Sequence, residues 1–446
     1  MSVKGNAVIG QSGGPTMVIN ASLVGAVQEA KKHDAITGFY GAMNGIEGVL
    51  HERMLDLGAA TEQQLAAMRY TPSAAIGTVR LKVNGRDLER ALDVFEAHNI
   101  RYFFYAGGND SQETSLKLSD AAKATGYELV CIGIPKTIDN DLPNTDHCPG
   151  YGSAARFLAC ALTYAGKDNE AFRDIQITEC MGRDSGWLTA STALARAHED
   201  DAPHLVYLPE VAFDDEKYIN QVLEKYHKYG RCVIAVSEGI RYAGEDGKPD
   251  KNKLVAQRST YTDAFGHPQL GGVAEYLGNL LEDKLSFKVR SDKPGTLHRA
   301  FMLCVSEVDL AEAYEVGRKA VELAATGQTG QMVTLMRKSD DPYECTTGVT
   351  QFENVAGGKR DIPVEWIADN GADVKEDFVR YVRPLVGNGS PEIPGLSAAI
   401  PRHAKVELPP IAPKLGDYVD SRGWWLDKKR GRWVRGSLDA NSEWMV

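Results

Sequence analysis

Short β-rich runs without charge alternate along this chain with stretches whose apolar positions recur at helical spacing. Ala7-Val8-Ile9, Tyr102 to Tyr105, Leu129 to Ile134, Ile175 to Thr178, Leu205 to Leu208 and Val233 to Val236 are the clearest of the runs. Runs that are apolar throughout suit strands buried on both faces, as in parallel sheets covered by helices. Between them lie helical stretches, from about Pro15 to Lys32 and from about Ser111 to Ala124. Pro15 stands near the first helix start, where its missing N–H costs nothing. The alternation predicts an α/β protein with mostly parallel sheets. From about Gly357 the pattern weakens, with prolines at 391, 394, 401, 409, 410 and 413, then the basic and aromatic segment Trp424 to Trp433. This part reads as a C-terminal surface extension, packing its tryptophans on the body or on a partner subunit. A stacking platform for single-stranded nucleic acid is the other reading of that segment.

Composition fences this picture more than it fills it. With 446 residues, 43% of them hydrophobic, the chain can bury a large core, and two domains are the default. A net charge of −11 argues against a nucleic-acid surface and requires an anionic substrate to find a local basic pocket. No stretch approaches the length of a membrane span, and the N-terminus lacks a secretory apolar region, so the expectation is a cytoplasmic protein without a membrane partner. Seven cysteines with no C-x-x-C pair read as free thiols.

The chemistry sits in the loops that follow the strands, where open α/β sheets bind their ligands. Ser12-Gly13-Gly14 can offer backbone donors and a helix start to a phosphate, although a tight turn needs such glycines too. Gly107-Gly108-Asn109-Asp110 has the same placement plus a carboxylate. Pro135 to Asp141 carries Lys136, Thr137, Asp139 and Asp141; its paired carboxylates suit proton abstraction from an alcohol, and a plain Asx-turn loop is the bland alternative. In Met181-Gly182-Arg183 the glycine permits close backbone approach and the arginine offers a permanently charged clamp. Glu238, in Ser237-Glu238-Gly239, can accept from sugar hydroxyls. Arg290 and Arg299 bracket a glycine turn and could grip a phosphate dianion. Together, glycines for an anion and carboxylates for Mg²⁺ or a proton suggest phosphoryl transfer.

This ordered series, from Val8 to Arg299, resembles the phosphofructokinase family. The resemblance implies two Rossmann-like three-layer domains: a donor domain at 1–150, completed by about 298–350, and a sugar-phosphate domain at 151–297. Residues 351–446 are left as the C-terminal extension. It implies Mg²⁺-dependent phosphorylation of the 1-hydroxyl of fructose 6-phosphate, with Asp139 as proton acceptor. Thr137, Asp139, Met181, Gly182, Arg183 and Glu238 would contact the sugar, and Arg290 and Arg299 its 6-phosphate. Gly13, Gly14 and Gly108 would face the donor, and Arg80 the transferring phosphoryl group.

Two positions point to the pyrophosphate-dependent branch. Where ATP-using members usually carry glycines, this chain has Asp110 and Lys136. Asp110 adds bulk and negative charge where a nucleotide's α-phosphate would lie, and Lys136 adds a compact cation for pyrophosphate. An ATP-dependent sugar-phosphate kinase and a non-catalytic regulatory subunit are the competing readings. The sequence departs from the family pattern at Asn109, in the usual place of the metal-binding aspartate, and at Asp174, where a subunit-bridging arginine is expected. His298 has no assigned role. Pyrophosphate and fructose 6-phosphate as ligands, no nucleic acid, and a homodimer or homotetramer complete the expectation.

Overall fold

The structure, a computed structural model, describes residues 3–256, 259–262, 268–269, 272–388, 407–421, 424–427 and 432–435. Two sheets organise it. The larger has seven strands in the order Tyr343–Gln351, Gln331–Asp340, Val130–Pro135, Ile100–Gly107, Gly5–Gln11, Ile36–Ala42 and Met54–Asp56. Its inner pairings are parallel, and the outermost strand on each side runs antiparallel to its neighbour. The second sheet orders Val289–Asp292, Ile175–Cys180, Cys232–Ser237 and Leu205–Tyr207, all parallel. Parallel pairing requires the intervening chain to cross over a face, so helices cover both sides.

Five of the six charge-free runs become central strands because both of their faces are covered, while Leu205–Tyr207 forms an edge of the second sheet. Tyr102 and Phe104 enter the apolar cluster on one side of the first sheet, and Phe103 and Tyr105 the cluster on the other. All four are at most 1% exposed. On one face the helices Ile19–Ala30 and Glu307–Ala325 cross closely. A Cβ on Gly25 would meet the backbone of Tyr314, and one on Gly317 the backbone of Ser22. A third cluster, including Met17, Ile138, Tyr151, Trp187, Leu310, Phe378 and Leu385, joins the two halves behind their strand ends. No helix among the described residues is long and apolar enough to cross a membrane.

Two local expectations change. The first helix starts at Ile19 rather than near Pro15. Gly13 has a positive φ of 74° and donates its N–H to the Val79 carbonyl, and the Thr16 hydroxyl accepts from Val18 N–H at 3.3 Å, so this stretch is a turn. Within 352–387, expected in a surface extension, Phe352, Phe378 and Val382 reach into the interior and are 0% exposed. Further on, Pro409 accepts from Asp56 N–H and Ile411 donates to the Met54 carbonyl, lining this stretch along the first sheet's edge. The basic and aromatic segment forms a short antiparallel pair, Trp424–Asp427 with Arg432–Arg435; Lys428 to Gly431 lie outside the described residues.

Candidate active site

The glycine loop after the first strand is held open by its neighbours. Thr78 Oγ1 donates to the Gly13 carbonyl at 2.7 Å, which brings Arg80, two residues on, beside the loop. Lys136 Nζ donates to the Gly14 carbonyl at 2.7 Å. A Cβ on Gly13 would stand 3.3 Å from Lys136 Nζ, and one on Gly14 3.1 Å from Arg299 Cζ. Gly13, Gly14, Lys136, Arg80 and Arg299 therefore form one basic wall. Burial, with Arg299 and then Arg80 opposing, pulls the Lys136 ammonium down to about 7, although Asp139 and Asp141 favour its charge. A site that gathers this many cations suits a polyanion.

The carboxylate pair faces that wall. Burial pushes Asp139 above the usual carboxylate range, opposed by the positive charges of Arg299, Lys136 and Arg183. Asp141 rises to about 7 through burial and then the nearby Asp139 charge. Between them Asn140 takes a left-handed φ of 56°, which breaks the extended course of the strand end and turns the chain. The Asp139 N–H donates to Thr137 Oγ1 at 3.1 Å, and Ser185 Oγ donates to the Asp139 carbonyl at 2.9 Å. The latter links the loops of the two sheets.

Asn109 and Asp110 open the helix Asn109–Thr125, with Gly108 at its cap. Asn109 Nδ2 donates to Asp141 Oδ2 at 3.2 Å, while Asn109 Oδ1 is buried without a hydrogen-bond partner. A buried acceptor left unpaired is costly unless something binds there.

From the second sheet, Gly182 has a φ of 135°, a conformation open to glycine, and its N–H donates to Glu238 Oε1 at 3.4 Å. Met181 packs at the edge of the interface core. Burial and then the Asp139 charge raise the Glu238 carboxyl. Arg183 is close enough to Asp139 and Arg299 to influence both. Thus Thr137, Asp139, Arg183, Glu238 and Arg299 converge from four loops. Arg290 is committed elsewhere: on the edge strand its Nε pairs with Asp174 at 2.7 Å and its guanidinium lies 4.3 Å from the Phe172 ring centroid. The two arginines expected to share one phosphate are drawn to different partners.

His298 is fully buried, Nδ1 bonded to the Gly295 carbonyl at 2.6 Å, and burial pulls it down to about 4, so it is neutral. Sequence reasoning missed Asp184, whose charge acts on Asp139 and Asp141 and which pairs with Arg241 at 2.5 Å. Its place directly after Met-Gly-Arg was the available signal. Arg360, behind the carboxylate loop, had no local signal at all.

Residues 6–324 match the phosphofructokinase family. The pyrophosphate–fructose 6-phosphate 1-phosphotransferase of Rhodospirillum rubrum is 45% identical over 393 residues, spanning 87% of this chain and 96% of that protein. The protein of the same description from Halomonas elongata is 40% identical over 423 residues, spanning 93% and 99%. Among solved structures, the pyrophosphate-dependent phosphofructokinase from Marinobacter aquaeolei matches with a TM-score of 0.83 at 36% identity, covering 93% of this chain and 99% of that one.

Proposed function

This chain belongs to the phosphofructokinase family, and from that membership we propose that it moves a phosphoryl group reversibly between pyrophosphate and the 1-hydroxyl of fructose 6-phosphate. The observation that carries the choice of donor is Lys136, buried between the glycine loop and Arg299, with Asp110 in the first turn of the neighbouring helix. Pyrophosphate concentrates its charge in a small volume, and Lys136 and Arg80 answer it without any adenosine contact. Asp110 opposes the additional phosphate of a nucleotide.

Asp139 accepts the proton of the 1-hydroxyl as that oxygen bonds to the near phosphorus. The bridging P–O bond breaks, and inorganic phosphate leaves with the bridging electrons. Positive groups stabilise charge spread over the transferring oxygens, which is most of what a protein contributes to such a transfer. In reverse, protonated Asp139 returns its proton as the sugar alcohol departs. Arg183, Glu238, Met181 and Gly182 hold the sugar; Arg299 takes the 6-phosphate, joined by Arg290 once substrate competes for it with Asp174. Asn109 Oδ1, buried and unpaired, and the Asp141 carboxylate fit a hard cation, and would hold a Mg²⁺ that adds positive charge against the pyrophosphate oxygens.

The enzyme works in the cytoplasm as a homodimer or homotetramer. Tyr164 and Phe172, 75% and 61% exposed on the helix Tyr151–Phe172, support a face for a second copy. Phosphorus NMR tests the reaction: pyrophosphate, fructose 6-phosphate, Mg²⁺ and purified protein yield a second sugar phosphomonoester and inorganic phosphate. Binding of both substrates without that conversion would identify a non-catalytic subunit instead.

A further inference from the structure

One residue of the C-terminal part holds the backbone of the carboxylate loop from behind. Arg360 donates its own N–H to the Asp141 carbonyl at 2.8 Å. Its Nη2 donates to the Asn140 carbonyl at 2.9 Å, and its Nη1 to the Thr145 carbonyl at 2.7 Å and to the Asp146 carbonyl. These four acceptors lie within seven consecutive positions, 140 to 146. In the other direction the Arg360 carbonyl accepts from Trp187 Nε1 at 3.1 Å, and its guanidinium sits 4.6 Å from the Trp187 ring centroid. Trp187 opens the short helix that follows Met181 to Ser185. Two residues on, Ile362 N–H reaches Glu210 Oε1, which also accepts from Gly186 N–H at 2.8 Å. The strap 360–362 therefore touches the loop that carries the carboxylates and the loop that carries Arg183.

We propose that Arg360 is a positioning residue for the transfer step: it fixes Asp139 and Asp141 in register with the Met181 to Ser185 loop, without touching substrate. The claim rests on the functional reading above for what the loop does, and on the hydrogen bonds alone for how the loop is held. Asn140 lies between the two carboxylates in a left-handed conformation that persists only where its surroundings over-determine it. Its surroundings are Arg360 on its carbonyl, Tyr381 Oη on its Nδ2 at 3.0 Å, and Cys148 N–H on its Oδ1 at 2.9 Å. Tyr381 Oη in turn donates to the Asp146 carbonyl at 2.7 Å. Lysine cannot substitute, because a single ammonium lacks the planar fork that reaches three backbone carbonyls and stacks on indole.

Arg360→Met, Arg360→Lys and Tyr381→Phe test this. Amide hydrogen exchange on the substrate-free proteins reads the positioning role whatever the enzyme's donor is. Arg360→Met should raise exchange across 140–146 and leave the strand at 175–180 protected. In turnover, misplacing reacting groups by about 1 Å costs on the order of 100-fold in rate. Arg360→Met should therefore lose about 100-fold in kcat, with KM for fructose 6-phosphate within about threefold and the acid limb of the kcat–pH profile displaced. Arg360→Lys should recover less than about tenfold of that loss, and Tyr381→Phe should show a smaller change of the same kind. If Arg360→Met does not fold, Tyr381→Phe decides through the same two readouts. Unchanged exchange at 140–146, or a kcat loss with an unmoved acid limb, overturns the proposal. A wild type inactive with pyrophosphate would overturn the function and leave the exchange result standing.

Discussion

Lys136 and Asp139 show what burial does to single residues here. Lys136 is held down to about 7 by burial and by Arg299, whereas an unfolded lysine titrates near 10.4. From about pH 7 to about pH 10.4 the unfolded chain holds a proton that the folded one has lost, so this residue makes stability rise with pH across that window. Below it, the full cost of a buried ammonium is present. Lys136→Met should thus raise the unfolding temperature of the substrate-free protein, by more at pH 6 than at pH 9, while nearly abolishing pyrophosphate turnover. The same titration limits catalysis: kcat/KM should fall as pH rises through about 7, and the always-charged Lys136→Arg should move that limb upward. In the proposed mechanism Asp139, raised by burial, loses its proton to act, which sets the acid limb. Asp139→Asn should lower kcat by about 10³-fold, within the range for a lost general base, with sugar-phosphate binding retained in a titration. The double change Asp110→Gly and Lys136→Gly should shift the rate ratio toward ATP; an unmoved ratio would show that these two residues do not select the donor.

At the scale of elements, the chain spoke most clearly where one strand has one environment. Tyr102 to Tyr105 is buried on both faces, so four aromatic residues in a row can mean little else. The loop order after successive strands likewise carried Gly13, Lys136, Asp139, Arg183 and Glu238 to a common cleft. What stayed hidden depends on contacts distant in sequence. Arg360 meets its acceptors more than 200 positions away, and nothing in Gly358-Lys359-Arg360 marks it. The interior role of Phe378 and Val382 was masked by a proline-rich context that resembles a tail. Arg290 stands at the expected position, yet Asp174 and Phe172 engage it, and a spacing of two arginines cannot reveal which partner each prefers. The crossing of Ile19–Ala30 over Glu307–Ala325 yields a further expectation. Gly317→Ala places a methyl against the Ser22 backbone, and overpacking of this kind costs about 1–3 kcal/mol. Urea unfolding should show it as a lowered midpoint, and pyrophosphate KM should rise because the displaced helix is tied to the glycine loop by the short turn that ends at Val18.

Over the whole molecule, a net charge of −11 surrounds a cleft lined by Lys136, Arg80, Arg183 and Arg299. The positive charge lies where two sheets turn the ends of their strands toward each other, and there a small polyanion meets several cations at once. The two halves are joined by a shared core around Trp187, which keeps the loops after the strands of one sheet in register with those of the other. The proposal for this arrangement is that Lys136 and Asp110 suit the site to pyrophosphate rather than to a nucleotide. Initial rates with fructose 6-phosphate and Mg²⁺, measured side by side with pyrophosphate and with ATP, test it most directly. Turnover with pyrophosphate should be at least about 100-fold faster than with ATP, the scale of one misfitted charged group in a buried site. Equal or faster turnover with ATP would contradict it.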